Sequence, residues 1–241
     1  AENEKEAKIS DVGTTSIPSG ESSITIKKNP ASGWTKGPVK VTIEQNVEGY
    51  ILQYSYDNKV WVDYKGELTV ENNGQYIYAR LSDGKTGGTA KREQVTNIDR
   101  LSPNTFTPDV KITTTTVTII ANTTDKQATQ TDGMSGIRGY QYSINNGASW
   151  TEEISNNTYT FTGLSQGQSY QAKVKVIDKA GNETESSVVR GDTTEIPGAL
   201  GNIIVEKSES DWTKKPVNVT LRTELSGYHI QYAINDASSS S

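Results

Sequence analysis

A near-duplicated segment constrains this chain more than any other feature. Trp34 to Tyr54, WTKGPVKVTIEQNVEGYILQY, aligns without gaps on Trp212 to Tyr232, WTKKPVNVTLRTELSGYHIQY, with roughly half the positions identical. Such self-similarity marks an array in which each copy is one structural unit. The interval between the copies holds the rest of the first unit and one different unit. A relative of the segment's end, GYQYSINNGASW at 139–150, falls in that spacer. The order is therefore repeat, spacer module, repeat, with expected boundaries of 21–100, 101–195 and 196–241. Residues 1–20 are polar, carry Ser-Ile-Pro-Ser-Gly at 16–20, and read as a leader or linker.

Within 21–100 short alternating runs occur at Ile24 to Lys28, Val39 to Glu44, Ile51 to Tyr56, Val60 to Tyr64, Leu68 to Glu71, Tyr76 to Leu81 and Gln94 to Ile98. Turn signals separate them at Asn29-Pro30, Asp57-Asn58, Asn72-Asn73-Gly74 and Asp83-Gly84. Short strands at this spacing are the pattern of a sandwich or barrel. Side chains on a strand repeat every two residues. Val39, Val41 and Ile43 therefore share a face, as do Leu52, Tyr54 and Tyr56 in one copy and Tyr140, Tyr142 and Ile144 in the spacer. The repeated stretch is expected to be the central strand of each core, closed by an Asn/Gly hairpin turn and a following Trp such as Trp150. Tyr54, Tyr142 and Tyr232 hold the same place in the three units.

The third unit supplies about three strands between 202 and 236, too few for independent stability. ASSSS follows where the partner sheet should begin. An uncovered apolar face and open edges are penalised in water. The expectation is a truncated copy, with completion by another chain or packing on the neighbouring module as alternatives.

Composition agrees with thin sandwiches. Only 32% of residues are apolar, against about 45–50% in ordinary globular domains, a figure that includes Gly. The net charge of -5 argues against a reader of phosphate backbones, which needs a basic patch. Cysteine is absent, so disulfides, thiolate nucleophiles and Cys-type zinc sites are excluded. No apolar run approaches the roughly 20 residues that cross a bilayer, and no membrane insertion is expected from this segment. The start, AENEKEAK, lacks the basic and apolar regions of a signal peptide, which reads as a removed leader or a fragment.

The spacer contains TYTFTGLSQGQSYQAKVKVID at 158–178, in which Leu164, Gly167 and Tyr170 form an L-x-x-G-x-x-Y arrangement. That spacing lets a tyrosine close the corner between late strands and bond its hydroxyl to nearby backbone. Tyr170, Ala172, Val174 and Val176 alternate with polar residues, as a half-buried strand should. Residues 101–194 thus resemble a fibronectin type III domain, and the resemblance implies Val117, Ile119 and Ala121 as its second strand and Tyr159 and Phe161 as its fifth, although Trp150 comes after the third strand and the vertebrate second-strand Trp is missing. The flanking copies, with WTKGPV, QYS and an Asn/Gly-rich turn before Trp, resemble the Ig-like repeats of large bacterial cell-surface proteins. VTNIDRLSP at 95–103 is similar to the junctions of such arrays. The resemblance implies a modular extracellular protein of Gram-positive type.

Chemistry is sparse. The single histidine, His229, lies in YHIQY, and a solvated strand histidine is preferred over a triad base, which needs a positioned nucleophile and acid. No nucleophile elbow, phosphate loop or zinc motif occurs, and no pair of carboxylates stands out for glycoside hydrolysis. Asp125, Asp132 and Asp178 are the oxygen donors a calcium ion would take, with turn formation the preferred reading and no cofactor expected. Trp34 and Trp212 hold equivalent places and are expected at a core or junction in preference to a sugar platform. The sequons at Asn122, Asn157, Asn182 and Asn218 reflect an Asn- and Thr-rich chain. Asn97 with Lys27 or Lys28 has the last-strand and first-strand placement of an isopeptide bond, with ordinary exposed lysine preferred.

The sequence thus describes an all-β chain of tandem Ig-like and fibronectin type III sandwiches with an incomplete third module. The expected role is non-enzymatic: an extracellular stalk, spacer or appendage subunit on a bacterial surface, in contact with further modules or neighbouring copies. An adhesin or carbohydrate-binding module for polysaccharide or a host surface protein, an accessory region of a secreted enzyme, and a phage fibre segment are the alternatives.

Overall fold

A computed structural model describes residues 16–198 and 202–234. The first module opens with a single helical turn, α1 (Gly20–Ser23), and the strands β1 (Ile24–Asn29), β2 (Val39–Gln45), β3 (Ile51–Ser55), β4 (Val62–Asp63), β5 (Leu68–Val70), β6 (Tyr76–Ser82) and β7 (Lys91–Gln94) follow. They form two antiparallel sheets, β1-β2-β5 and β4-β3-β6-β7. Period-two alternation drives the packing: Val39, Val41 and Ile43 from one sheet meet Ile77, Ala79 and Leu81 from the other, all buried. The fourth strand joins the four-stranded sheet, whereas in a constant-type Ig domain it joins the other one.

Local chemistry moves several elements from their expected places. Asp57 Oδ1 accepts the Lys59 and Val60 amides at 2.8 and 2.9 Å, so the ladder expected from Val60 begins only at Val62. Tyr56, expected on the core face, is 42% exposed because the chain has already entered this turn. The last strand is 91–94 in place of 94–98. Residues 95–99 leave the β6 edge and run beside Thr35, whose amide bonds Asn97 O while Asp99 N bonds Thr35 O. Residues 16–20, placed in a linker by the sequence reading, carry Ile17 onto the first core and the Ser19 cap of α1. Residues 1–15 of that segment lie outside the described residues.

The second module contains β8 (Asp109–Ile112), β9 (Val117–Ile120), β10 (Ile137–Ser143), β11 (Thr158–Phe161), β12 (Ser169–Asp178), β13 (Glu183–Glu185) and β14 (Val189–Asp192). Its sheets are β11-β9-β8 and β10-β12-β13, with β14 also on β12. The edge is shared because the chain breaks at Ser186, whose hydroxyl accepts the Val174 amide at 3.0 Å while its own amide bonds Val174 O at 2.8 Å. Val117, Ile119, Ala121, Tyr142, Ala172, Val174 and Val176 fill the core.

The third unit shows β15 (Ile204–Lys207) paired with β16 (Val219–Arg222). The strand expected over 227–236 does not form among the described residues, and the turn residues 235 and 236 lie outside them. Tyr54 and Tyr142 sit on strands paired to β6 and β12. Tyr232 has no such neighbour strand, and it is 71% exposed.

Candidate functional site

The densest polar cluster lies where the first module meets the second. Gly133 N donates to Ile98 O at 2.7 Å and Asn73 N to Thr131 O at 2.8 Å, which ties the 129–135 loop of the second module to the end of the first. Arg100 Nη1 reaches Glu71 O at 2.6 Å, and its Nε stands 2.9 Å from Asp132 Oδ1. That approach is ionic without hydrogen-bond alignment, since Asp132 Oδ1 accepts no hydrogen bond. Lys36 Nζ donates to Gly181 O at 3.2 Å, and Trp34 packs against Gly133, where a side chain would overlap its ring.

Beneath these contacts Asp99, Asp125 and Asp178 converge, each offering a carboxylate oxygen within 4.8 Å of the others. Asp99 and Asp178 are fully buried and Asp125 is 6% exposed. Asp99 accepts the Leu101 amide at 3.0 Å and the Ser135 amide at 2.8 Å. Asp125 accepts the Lys126 and Gly136 amides. Asp178 accepts the Asn182 amide and side-chain Nδ2, both at 2.8 Å, and that Nδ2 also reaches Asp99 O at 2.9 Å. Burial pushes the Asp125 carboxyl above its ordinary value against the pull of its two amide donors, and the charges of Asp99 and Asp178 add to the rise. Among the described residues this cluster offers the oxygen donors that a hard cation takes.

Of the three aspartates singled out in the sequence, the fold brings Asp125 and Asp178 together and diverts Asp132 to Arg100. Asp99 was missed: VTNIDRLSP reads as a junction, and only pairing with Thr35 turns its carboxylate inward. Asn182, read as an incidental sequon, is 8% exposed and anchors Asp178.

Most of the remaining singled-out residues make structural contacts. Tyr170 Oη accepts the Ser165 amide at 3.2 Å, Leu164 packs on the second core, and Gly167 adopts φ 64°. Tyr142 donates to Asn156 O at 3.0 Å and stacks on Tyr159, while Tyr54 meets Tyr56 and Tyr64 edge-on. Trp150 lies under Lys175 Nζ at 5.1 Å. Trp212, unlike Trp34, is fully exposed. No equivalent of the Gly133 loop reaches it among the described residues. His229 is exposed and outside any strand. Lys27 pairs with Glu44 and Lys28 with Glu93, and the Asn97 side-chain amide donates to Gly33 O at 2.8 Å, so the residues considered for an isopeptide bond are engaged elsewhere.

No protein-family model matches the chain. A stretch of 148 residues, 60% of this chain, is 29% identical to Exoglucanase B of Cellulomonas fimi, and spans 13% of that protein. Among solved structures, a crystal structure of titin domains overlays with a TM-score of 0.45 at 13% identity, covering 72% of this chain and 67% of that one. The chicken CNTN1 FN1–FN3 domains overlay with a TM-score of 0.35 at 14% identity, covering 68% and 65%. Among the described residues no helix is long and apolar enough to cross a membrane, which leaves β-barrels unaddressed.

Proposed function

We propose that this chain is a non-enzymatic structural segment of a modular extracellular bacterial protein, a stalk or spacer whose task is to hold distance and direction. The observation that carries this reading is the junction between the first two modules. Independent domains joined by a loose linker move relative to one another by default. Here backbone bonds from Gly133 to Ile98 and from Asn73 to Thr131, with the Arg100–Asp132 ion pair and the Trp34 contact, tie the modules directly. Small-angle scattering of the chain tests it. A rod-like profile fitted by one arrangement of residues 16–198 is the expected result; a profile requiring many module orientations would remove the basis for a rigid spacer.

A second reading, an accessory region beside a carbohydrate-active catalytic domain, is favoured by the similarity to Exoglucanase B. It predicts co-sedimentation with insoluble polysaccharide if the region itself binds sugar. The aromatic side chains argue for a spacer role there as well. One face of Trp61 is covered by Arg80 and one face of Trp150 by Lys175, and Trp34 packs at the junction, which leaves Trp212 as the one fully exposed indole among the described residues.

A further inference from the structure

Among the described residues no lysine or arginine lies within ion-pair range of the three junction carboxylates of Asp99, Asp125 and Asp178, and Arg138, paired with Glu153, interacts with Asp178 from beyond that range. Asp99 and Asp178 are nevertheless fully buried. Buried charges are ordinarily paired or coordinated to metals. Each of their oxygens accepts a single N–H, from Leu101, Ser135, Lys126, Gly136 and, for Asp178, Asn182 twice. A carboxylate has about four lone-pair sites across its two oxygens. The amides therefore orient the groups and leave each oxygen with accepting capacity toward the centre.

An independent observation points the same way. The Ser135 hydroxyl is buried and has no hydrogen-bond partner, in a residue 4% exposed. It belongs to the residue whose own amide meets Asp99 and whose successor's amide meets Asp125, so the backbone that carries it is held between two of the three carboxylates. An orphaned buried hydroxyl bears the desolvation penalty of its polar atoms with no bond to offset it, which points to a ligand that satisfies it.

We propose that Asp99, Asp125 and Asp178, with the Ser135 hydroxyl, bind one calcium ion that locks the first module to the second. The donor set is all oxygen, which suits a hard cation, and calcium–oxygen distances of about 2.3–2.6 Å place oxygens on opposite sides of the ion about 5 Å apart. The three carboxylate oxygens lie within 4.8 Å of one another, inside the reach of a single ion. Magnesium keeps several of its waters and demands near-ideal octahedral geometry, which a cluster buried this deeply does not offer. Asp99 belongs to the end of the first module and Asp125 and Asp178 to the second, so the ion bridges them. Asn182 is a positioning residue: it holds Asp178 and ties it to the Asp99 backbone.

The inference rests on the junction and not on the spacer reading, because a calcium titration can fail while scattering still gives a rod, and the reverse. The test is calorimetric titration of the whole 241-residue chain, stripped with chelator, first with calcium chloride and then with magnesium chloride. One calcium per chain is expected, with a dissociation constant of about 0.1–1 mM as in extracellular modules, and a magnesium response at least tenfold weaker. Asn182→Ala weakens calcium by about 10–100-fold, as loss of an outer partner does. Asp125→Asn keeps an acceptor for only one of the Lys126 and Gly136 amides and removes a ligand charge, so it abolishes the rise in melting temperature that calcium produces. A merely structural aspartate would leave the calcium-dependent rise in place. Circular dichroism in chelator verifies folding, and Ser135→Ala, which removes no charge, weakens calcium in a protein that keeps its amide bonds. Absence of calcium binding in the millimolar range, calcium uptake that survives Asp125→Asn in folded protein, or equal responses to the two metals would overturn the proposal.

Discussion

The guanidinium of Arg80 lies 4.1 Å over the ring of Trp61. Arg80 is cross-strand from Gln53, as Lys175 is from Gln141, and Lys175 takes the corresponding place over Trp150 at 5.1 Å. The repeated Gln-Tyr-Ser stretch therefore has a second half to its pattern. Its outward Gln faces a cation on the neighbouring strand, and the Trp after the hairpin covers that cation. A double-mutant cycle on Arg80→Ala and Trp61→Phe, read by urea denaturation, should return a coupling of about 0.5–1 kcal/mol. A coupling of zero would mean the Trp is retained for its apolar area alone.

Tyr142 predicts an alkaline limb. Its ring is fully buried and its hydroxyl bonds Asn156 O, and burial drives its phenol well above the ordinary value of 10.0, with Tyr140 adding to the shift. The neutral form is thus favoured in the folded state. Its stabilisation is complete below the unfolded value and is lost as pH rises from there toward the folded one. Tyr142→Phe should cost about 0.5–1.5 kcal/mol at neutral pH through the lost hydrogen bond, and should flatten the fall in stability above pH 10.0. Melting temperatures of both proteins across that range check the sign.

Gly133 is the point at which the 129–135 loop passes Trp34. Any side chain there overlaps the indole, and overpacking of this kind costs about 1–3 kcal/mol. Gly133→Ala should loosen the junction while each sandwich stays folded, which limited proteolysis would register as new cleavage near residues 99–104. Trp34→Ala combined with Gly133→Ala should restore part of the protection.

Asp57 predicts an acid effect. The Val60 and Lys59 amides, and then the Ser55 hydroxyl, hold its carboxyl below the ordinary 3.8. The stabilisation is present above that value and lost as pH falls through the lower folded one. Asp57→Asn should therefore make the stability of the first module less sensitive to acid, with a small loss at neutral pH. An acid limb of unchanged steepness would show that other carboxylates dominate it.

The amino-acid sequence by itself determined the core strands of the first two modules. Alternation at Val39, Val41 and Ile43, or at Ala172, Val174 and Val176, is a local property of the chain, because a strand has one buried face whatever packs on it. The turns at Asp57-Asn58 and Asn145-Asn146 were legible for the same reason. Ser55 and Ser143 bond the next-but-one side chain in the same way, and Asn58 and Asn146 both take positive φ, chemistry contained within a few residues. The junction was not legible. Asp99, Asp125 and Asp178 are far apart in sequence, and each alone is an ordinary loop or strand-end aspartate. Their meeting depends on where residues 95–99 run once they leave the β6 edge, and on the register that sets the end of β12 beside them. Nor did Trp34 and Trp212, identical in motif, reveal that one is packed and the other exposed. Burial is decided by what the rest of the chain brings alongside, and only the tertiary structure supplies the neighbour.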